Sequence, residues 1–552
     1  MTAQTASPPA PGEAMSHRQI LEALSGLLLV LFVAMTSATV VSTALPTIIG
    51  DLNGSQSQYT WVVTASLLAA TATTPIWGKL ADLFSKKLLV QIAIGIFLVG
   101  SVICGFAQNA GELIAARAFQ GLGMGGLQAL VQVVMAAMIP PRERGRYNGY
   151  LGGVMALATV GGPLLGGLIV DTSWLGWRWC FFIGVPIALV ALVVLQRTLH
   201  LAVVKRAGVS IDYAGATLIA GGVSILLIWV TFVGDSFDWA SWQTAAMVGA
   251  GLAVLALATW VESRVKEPVV PLRVIAQRTP ALAIVASLSV GMAMFGGAVF
   301  LGQYFQIGRG YSPTEAGLLT IPMMAGVLLS STISGRLITA TGKIKPYIIA
   351  GTLVLVAGFG VLGTIDHETN LVIVGVGMFL VGAGVGMSMQ NLVLVVQNTV
   401  ALSDLGAASG AITFFRSLGG TIGVSVLGAV LANKVTADIT AHLRAAGVTA
   451  APGGGDTSTL DLASLPPAFQ EIVRAAYGDA TGHIFLIAAV IGLVGVVAAV
   501  ALPAVTLRTT VDLAKADRDP EESTPLTEVA GGVGVEDGDR TEGRDTTTAH
   551  RH

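Results

Sequence analysis

Along this chain, apolar and polar positions separate into long blocks. Fourteen apolar runs, each bounded by turn formers or charges, fall near 20–45, 60–79, 88–107, 111–138, 146–170, 179–197, 211–233, 243–262, 280–305, 315–338, 346–365, 370–396, 405–433 and 482–506. A helix of about 20 apolar residues crosses a roughly 30 Å hydrocarbon core. Each run is therefore predicted to be a spanning helix, and an even number of spans puts both termini on one side.

Composition agrees. Hydrophobic residues make up 53% of the 552, and charged residues only 11%, where a soluble domain carries about 25%. Mean hydropathy is +0.76. These values exclude a soluble enzyme, a disordered chain and a nucleic-acid binder. Cys104 and Cys180 both fall in apolar runs and suggest no disulfide framework. Residues 1–17 lack the short apolar core and cleavage site of a signal peptide. The seven histidines are scattered without metal-ligand spacing. No metal or cofactor is expected.

Loop charge sets the orientation. With the N-terminus inside, inner loops and their flanks hold sixteen cations: Lys79, Lys86, Lys87, Arg142, Arg144, Arg146, Arg197, Lys205, Arg206, Arg264, Lys266, Arg273, Arg278, Arg336, Lys343 and Lys345. The short outer loops hold only Arg178 and Arg309. Lys and Arg bias fixes topology, so both termini are expected in the cytoplasm and the chain in the cell (inner) membrane. From Leu507 onward, 11 acidic and 6 basic residues among Gly and Thr predict a disordered acidic tail.

Two features break the regular spacing. The 434–481 segment is a long external loop, interrupted by Pro452-Gly453-Gly454-Gly455. Within it, Phe469, Ile472, Val473, Ala476 and Tyr477 recur at helical spacing, which predicts an amphipathic helix on the outer surface. There is also a repeat. Gly78-Lys79-Leu80-Ala81-Asp82 ends span 2, and Gly335-Arg336-Leu337-Ile338-Thr339 ends span 10. Two six-helix bundles with two extra spans between them form a secondary-transporter architecture. The predicted organisation is a cytoplasmic segment (1–19), an N-terminal bundle (20–197), a two-helix linker (198–279), a C-terminal bundle (280–506) and the tail (507–552).

Several motifs carry chemistry. In Gly78-Lys-Leu-Ala-Asp82-Leu-Phe-Ser-Lys86-Lys87, glycine permits a tight turn and the acid suits a positively polarised helix N-terminus. Arg117-Ala-Phe-Gln120-Gly121 places a cation inside span 4, where it must face a cavity or a partner. Gln128 lies roughly 20° and Gln132 roughly 60° round the helix from Arg117, forming one polar stripe. Glu112 is the nearest acid in sequence. The literal G-x-G-x-x-G at Gly121–Gly126 follows no strand, so close helix packing explains it and no nucleotide is expected.

On span 5, Gly161-Gly162-Pro163-Leu-Leu-Gly166-Gly167 joins a proline lacking an N–H to small residues, making a hinge between packed helices. Trp177-Arg178-Trp179 leads into span 6 and is expected at the outer interface. Asp404-Leu-Gly406-Ala-Ala-Ser409-Gly410 leads to Phe415-Arg416-Ser-Leu-Gly419-Gly420 on span 13, a second buried cation. Gln390 and Asn391 on span 12 serve either a ligand or helix–helix contact.

In this order on these spans, the motifs resemble those of the major facilitator superfamily, and within it the fourteen-span drug:proton antiporters, over roughly residues 20–506. The resemblance implies an all-α polytopic fold, an inner gate at Gly78, Asp82, Lys86 and Lys87, and an antiporter hinge at Gly162, Pro163, Gly166 and Gly167. Leu83 and Ser85 stand where the family has Arg and Gly, which implies a weaker latch. Ser37 stands where relatives carry an Asp that is a candidate for proton binding. Proton coupling then falls to Glu112 beside Arg117 or to Asp82, while Ser37, Gln128, Gln132, Gln390 and Asn391 are candidates for the substrate cavity.

With Arg117 and Arg416 buried and no acid near the middle of any span, like-charge repulsion disfavours cationic substrates. The expected function is proton-coupled export of neutral or anionic amphiphiles by alternating access, with small molecules, protons and the bilayer as partners. Import, or a non-transporting sensor or scaffold, stays open.

Overall fold

The computed structural model describes residues 17–53, 56–172, 174–199, 212–233, 237–265, 268–270, 272–401, 404–445 and 467–508. The acidic tail from residue 509, the segment 1–16, the centre of the long loop (446–466) and the cations Lys205, Arg206 and Lys266 lie outside the described residues.

Each of the fourteen apolar runs coincides with a helix. The first six are α1 (His17–Asp51), α2 (Gln56–Leu83), α3 (Lys86–Phe106), α4 (Ala110–Met138), α5 (Pro141–Asp171) and α6 (Gly184–Thr198, after one turn at Trp179–Phe182). Then come α7 (Tyr213–Phe232) and α8 (Trp242–Glu262). The last six are α9 (Arg278–Gln303), α10 (Ile321–Thr341), α11 (Lys345–Leu362), α12 (Leu371–Thr399), α13 (Leu405–Ala445) and α14 (Pro467–Ala501). Among the described residues, twelve of these stretches are long and apolar enough to cross a membrane by length and composition.

Local chemistry sets the ends. Asn109, Asp212 and Ser241 cap α4, α7 and α8 by accepting the N–H groups of Glu112, Gly215 and Thr244, donors that a helix leaves unpaired. Gly342 ends α10 at φ +70°, the left-handed region open to glycine. A π-helical turn at Tyr304–Gly308 prolongs α9.

Helices α1–α6 and α9–α14 form two bundles. Inside the first, the glycines of α4 let backbones touch. A methyl group on Gly121 would strike the Ser66 carbonyl, and one on Gly125 the Ala70 carbonyl, both on α2. Gly123 and Gly126 do the same for α3 and for Trp77. The G-x-G-x-x-G string is thus a packing surface.

Helices α7 and α8 make a hairpin. Ile219, Val223 and Leu227 of α7 share a core with Leu68 and Ile76 of α2 and Phe414 of α13. At its end, buried Glu262 accepts the N–H groups of Val269 and Val270 at 3.1 and 3.0 Å.

Two expectations change. The stretch Phe469–Tyr477 is not a separate surface helix. Pro467 starts α14, and helix continues without a break to Ala501, because the apolar pattern runs on through residue 501 with no breaker. Likewise α13 extends to Ala445, twelve residues past the expected end of its span. Before α6, Trp177 is buried beside Cys180 and Phe181, with the Arg178 guanidinium 4.4 Å from its ring centre, while Trp179 is exposed.

Candidate functional site

The two bundles meet closely at the end that carries the Gly78–Lys87 loop, here called the basic end. Asp82 reaches from α2 to the first turn of α13 in the opposite bundle. Its carboxylate accepts the N–H of Gly406 and of Ala407, each at 2.8 Å. These are orphan donors of a helix N-terminus, where negative charge is favoured. Gly78 and Gly406 lie so close that a methyl group on either would hit the other's carbonyl oxygen. Asp82 lies past the basic end of the 60–79 span. Burial pushes its carboxyl up to about 7, against the two backbone bonds and the charges of Lys86 and Lys79. Lys87 donates to the Gln196 carbonyl at 2.7 Å, tying the loop to α6.

The repeat-related position does the same on the other side. Gly335 of α10 abuts Gly145 of α5, carbonyl against α-carbon in both directions. Beside it, Arg144 is 2% exposed. Its guanidinium donates to the carbonyls of Ala136 (2.6 Å) and Ile139 (2.7 Å), and across the bundles to Gln397 Oε1 (2.9 Å). Gln397 donates in turn to Ser409 Oγ at 2.9 Å, linking α5, α12 and α13. Higher up, Gln132 of α4 donates to Gln390 of α12 at 2.8 Å, again across the bundles.

Arg117 lies inside the first bundle. It donates to Gln120 Oε1 (2.6 Å), Ser66 Oγ (2.8 Å) and the Val62 carbonyl (3.4 Å). Gln120 donates onward to Ser101 at 2.7 Å and Ser37 at 3.4 Å. Ser37 therefore belongs to a polar knot around Arg117 that joins α1–α4 and holds no acid. Glu112 does not pair with Arg117. It accepts the Gln108 N–H and the Asn109 side-chain amide at 2.8 Å each, completing the cap of α4 at the exposed end.

In the hinge motif, Gly162 presses on the Thr39 side chain and Gly166 on the Val40 carbonyl, packing α5 against α1. Helix continues through position 163 and Gly167. Gln128 is half-buried, and Asn391 donates back to Met387 of its own helix at 2.6 Å. Arg416 is 7% exposed, and its Nη1 makes no hydrogen bond.

The structure thus joins Asp82 to Gly406, Arg117 to Ser37, and Gln132 to Gln390, while Glu112 and Arg416 stand apart from them. Sequence reasoning missed Arg144, which it counted only as a topology charge. The available signal was its place in the first turn of α5, where the helix dipole disfavours a cation.

Two helical bundles locked together at one end around buried polar groups form the architecture of a membrane transporter. The Major Facilitator Superfamily profile matches residues 27–424, and the chain belongs to that superfamily. It is 36% identical over 417 residues to the multidrug transporter protein MdtP of Bacillus subtilis, covering 75% of this chain and 76% of the relative. It is 33% identical over 440 residues to the efflux pump FUS6 of Gibberella moniliformis, covering 78% and 77%. In fold it is similar to the proton:xylose symporter XylE, with a TM-score of 0.59 at 16% identity over 91% of this chain and 100% of that one. The human organic anion transporter MFSD10 gives 0.56 at 13% identity, over 86% and 99%.

Proposed function

We propose that this membrane transporter exports small neutral or anionic amphiphiles by alternating access, in exchange for protons, with the basic end in the cytoplasm. The observation that carries this reading is the paired closure at the basic end: Asp82 on Gly406, and Gly335 on Gly145. Two contacts at repeat-related positions break and re-form together when one bundle rocks against the other, which is the motion alternating access requires. Relatives named multidrug transporter and efflux pump support the outward direction. Sixteen cations against two favour a cytoplasmic basic end.

Proton exchange needs a group that is protonated in one state and not in the other. Asp82 is the group we assign to this change: it is buried when the gate is closed and releases its proton to the cytoplasm when the gate opens, having received it from the outer side through the cavity above the closed gate. Glu112 already faces water at the other end and gains nothing from the rocking.

The test is proton flux in proteoliposomes under an imposed pH gradient, read with a pH-sensitive dye as amphiphiles are added one at a time. Flux triggered by a neutral or anionic compound, kept in Glu112→Gln and lost in Asp82→Asn, is the expected result. Flux triggered only by lipophilic cations, or retained in Asp82→Asn, overturns the reading.

A further inference from the structure

The two buried arginines are not equivalent. Arg117 has hydrogen-bond acceptors at all three guanidinium nitrogens, supplied by its own bundle. Arg416 has none at Nη1, and among the described residues no carboxylate pairs with it. A cation buried among spanning helices with no carboxylate and an unsatisfied guanidinium nitrogen is costly, and such a residue marks a functional site by default.

Helix register places Arg416. Ser409 and Arg416 are seven residues apart on α13, hence on one face and about 10 Å apart along the axis. Ser409 is joined to Gln397 of α12, which runs antiparallel. Moving seven residues along each helix away from the basic end brings Gln390 and Asn391 to the depth of Arg416. Gln390 is the residue that bridges to Gln132 across the bundles. On the same side of α13, Gly291 of α9 packs against the backbone of Arg416, and Gly419 and Gly423 seat Leu288 and Met292. Residue 416 is therefore rooted on α13 at the level of Gln390 and Asn391, about 10 Å beyond Ser409 and away from the closed basic end.

We infer that Arg416 is the anchor for a single negatively charged headgroup on an amphiphilic substrate, with the amides of Gln390 and Asn391 at the same level and the alkyl portion among the apolar side chains. This rests on the export reading above and names the substrate class for it. A charge-assisted hydrogen bond in a water-poor site strongly favours an anion over a neutral molecule of the same shape.

The test is binding, independent of transport. The full chain in nanodiscs of zwitterionic lipid is titrated calorimetrically with dodecanoate, dodecanol and dodecyltrimethylammonium, which share a chain and differ in charge. Dodecanoate is expected to bind about tenfold or more tighter than dodecanol, and the cation weakest. Arg416→Lys keeps part of the preference, and Arg416→Met removes it while leaving dodecanol unchanged. With no ligand present, Arg416→Met is expected to melt at a higher temperature than the wild type, because it removes an unpaired buried charge; a merely structural arginine gives the opposite shift.

Equal binding of all three probes to the wild type, or a preference that survives Arg416→Met, overturns the inference. Competition by added phosphatidylglycerol supports the same anion site with a lipid headgroup as occupant, and lack of competition supports a soluble anion. Selective binding without proton flux counts against the export reading and leaves the anchor standing.

Discussion

The carboxylate of Asp82 lies 2.8 Å from the backbone nitrogen of Gly406, a residue 324 positions later in the chain and in the other bundle. With Ala407 it completes a two-pronged contact between an acid and a helix N-terminus. Charge-assisted hydrogen bonds contribute about 1.5–3 kcal/mol each. Alanine in place of the acid removes both acceptors and leaves the N–H groups of Gly406 and Ala407 without their partner. Asp82→Ala is therefore expected to shift the protein toward the form open at the basic end. Pulsed EPR distances between spin labels at the basic ends of α2 and α13 should gain a longer component. An unchanged distance distribution would mean that the latch is not carried by this acid.

The same contact predicts a pH dependence with a definite sign. Burial raises the Asp82 carboxyl to about 7 in the closed form, whereas in water a carboxyl titrates near 3.9. The closed form therefore binds a proton more readily than the open one. Its advantage is fully present below about pH 4, falls as pH rises toward about 7, and is constant above that. The open population read from the same spin labels should rise between pH 5 and pH 7 and level off by pH 8. In Asp82→Asn the slope should vanish. A rise in closure with increasing pH would reverse the assignment.

Glycine at the second contact is required by space. An alanine at position 335 would place its methyl group on the Gly145 carbonyl, backbone against backbone, with no side chain to give way. Gly360 on α11 has nothing within 4 Å of the same position. Gly335→Ala is expected to hold the basic end apart and reduce transport about tenfold or more, comparable to a lost fit of 1.4 kcal/mol. Gly360→Ala should be neutral or slightly stabilising, since alanine favours helix by about 1 kcal/mol. Transport rates and melting temperatures of the two variants decide the matter.

Much of this was legible in the chain, for physical reasons that differ by feature. Helices were readable because a membrane demands long apolar runs, and all fourteen runs lie on helices. The loop motif announced that Asp82 would face a helix N-terminus, but the identity of that helix depends on how bundles dock, which no local pattern encodes. Glu112 looked like a partner for Arg117 because it is close in sequence. The cap formed with Asn109 turns its carboxylate toward Gln108 instead. Ser37 looked like a lost acid, and the structure places it as an acceptor for Gln120. The start of α14 was misread because an amphipathic surface helix and the exposed end of a spanning helix share one periodicity. Arg144 was invisible as a contact between the bundles, since a buried and an exposed arginine at a loop read alike.

Arg144 offers the sharpest remaining test. Its guanidinium fills a fork of acceptors, two of them backbone carbonyls of the α4 end and one the Gln397 side chain across the bundles. Lysine keeps the charge but not the planar fork, and alanine leaves the buried acceptors unsatisfied at about 1–3 kcal/mol each. Arg144→Ala is expected to lower the melting temperature by several degrees and to slow transport more than Gln397→Ala does, with Arg144→Lys between them. Because the two side chains share one hydrogen bond, the double variant should be less impaired than the sum of the singles, with a coupling of about 0.5–3 kcal/mol. Strict additivity in that cycle would mean that Arg144 stabilises only its own bundle and does not help to close the basic end.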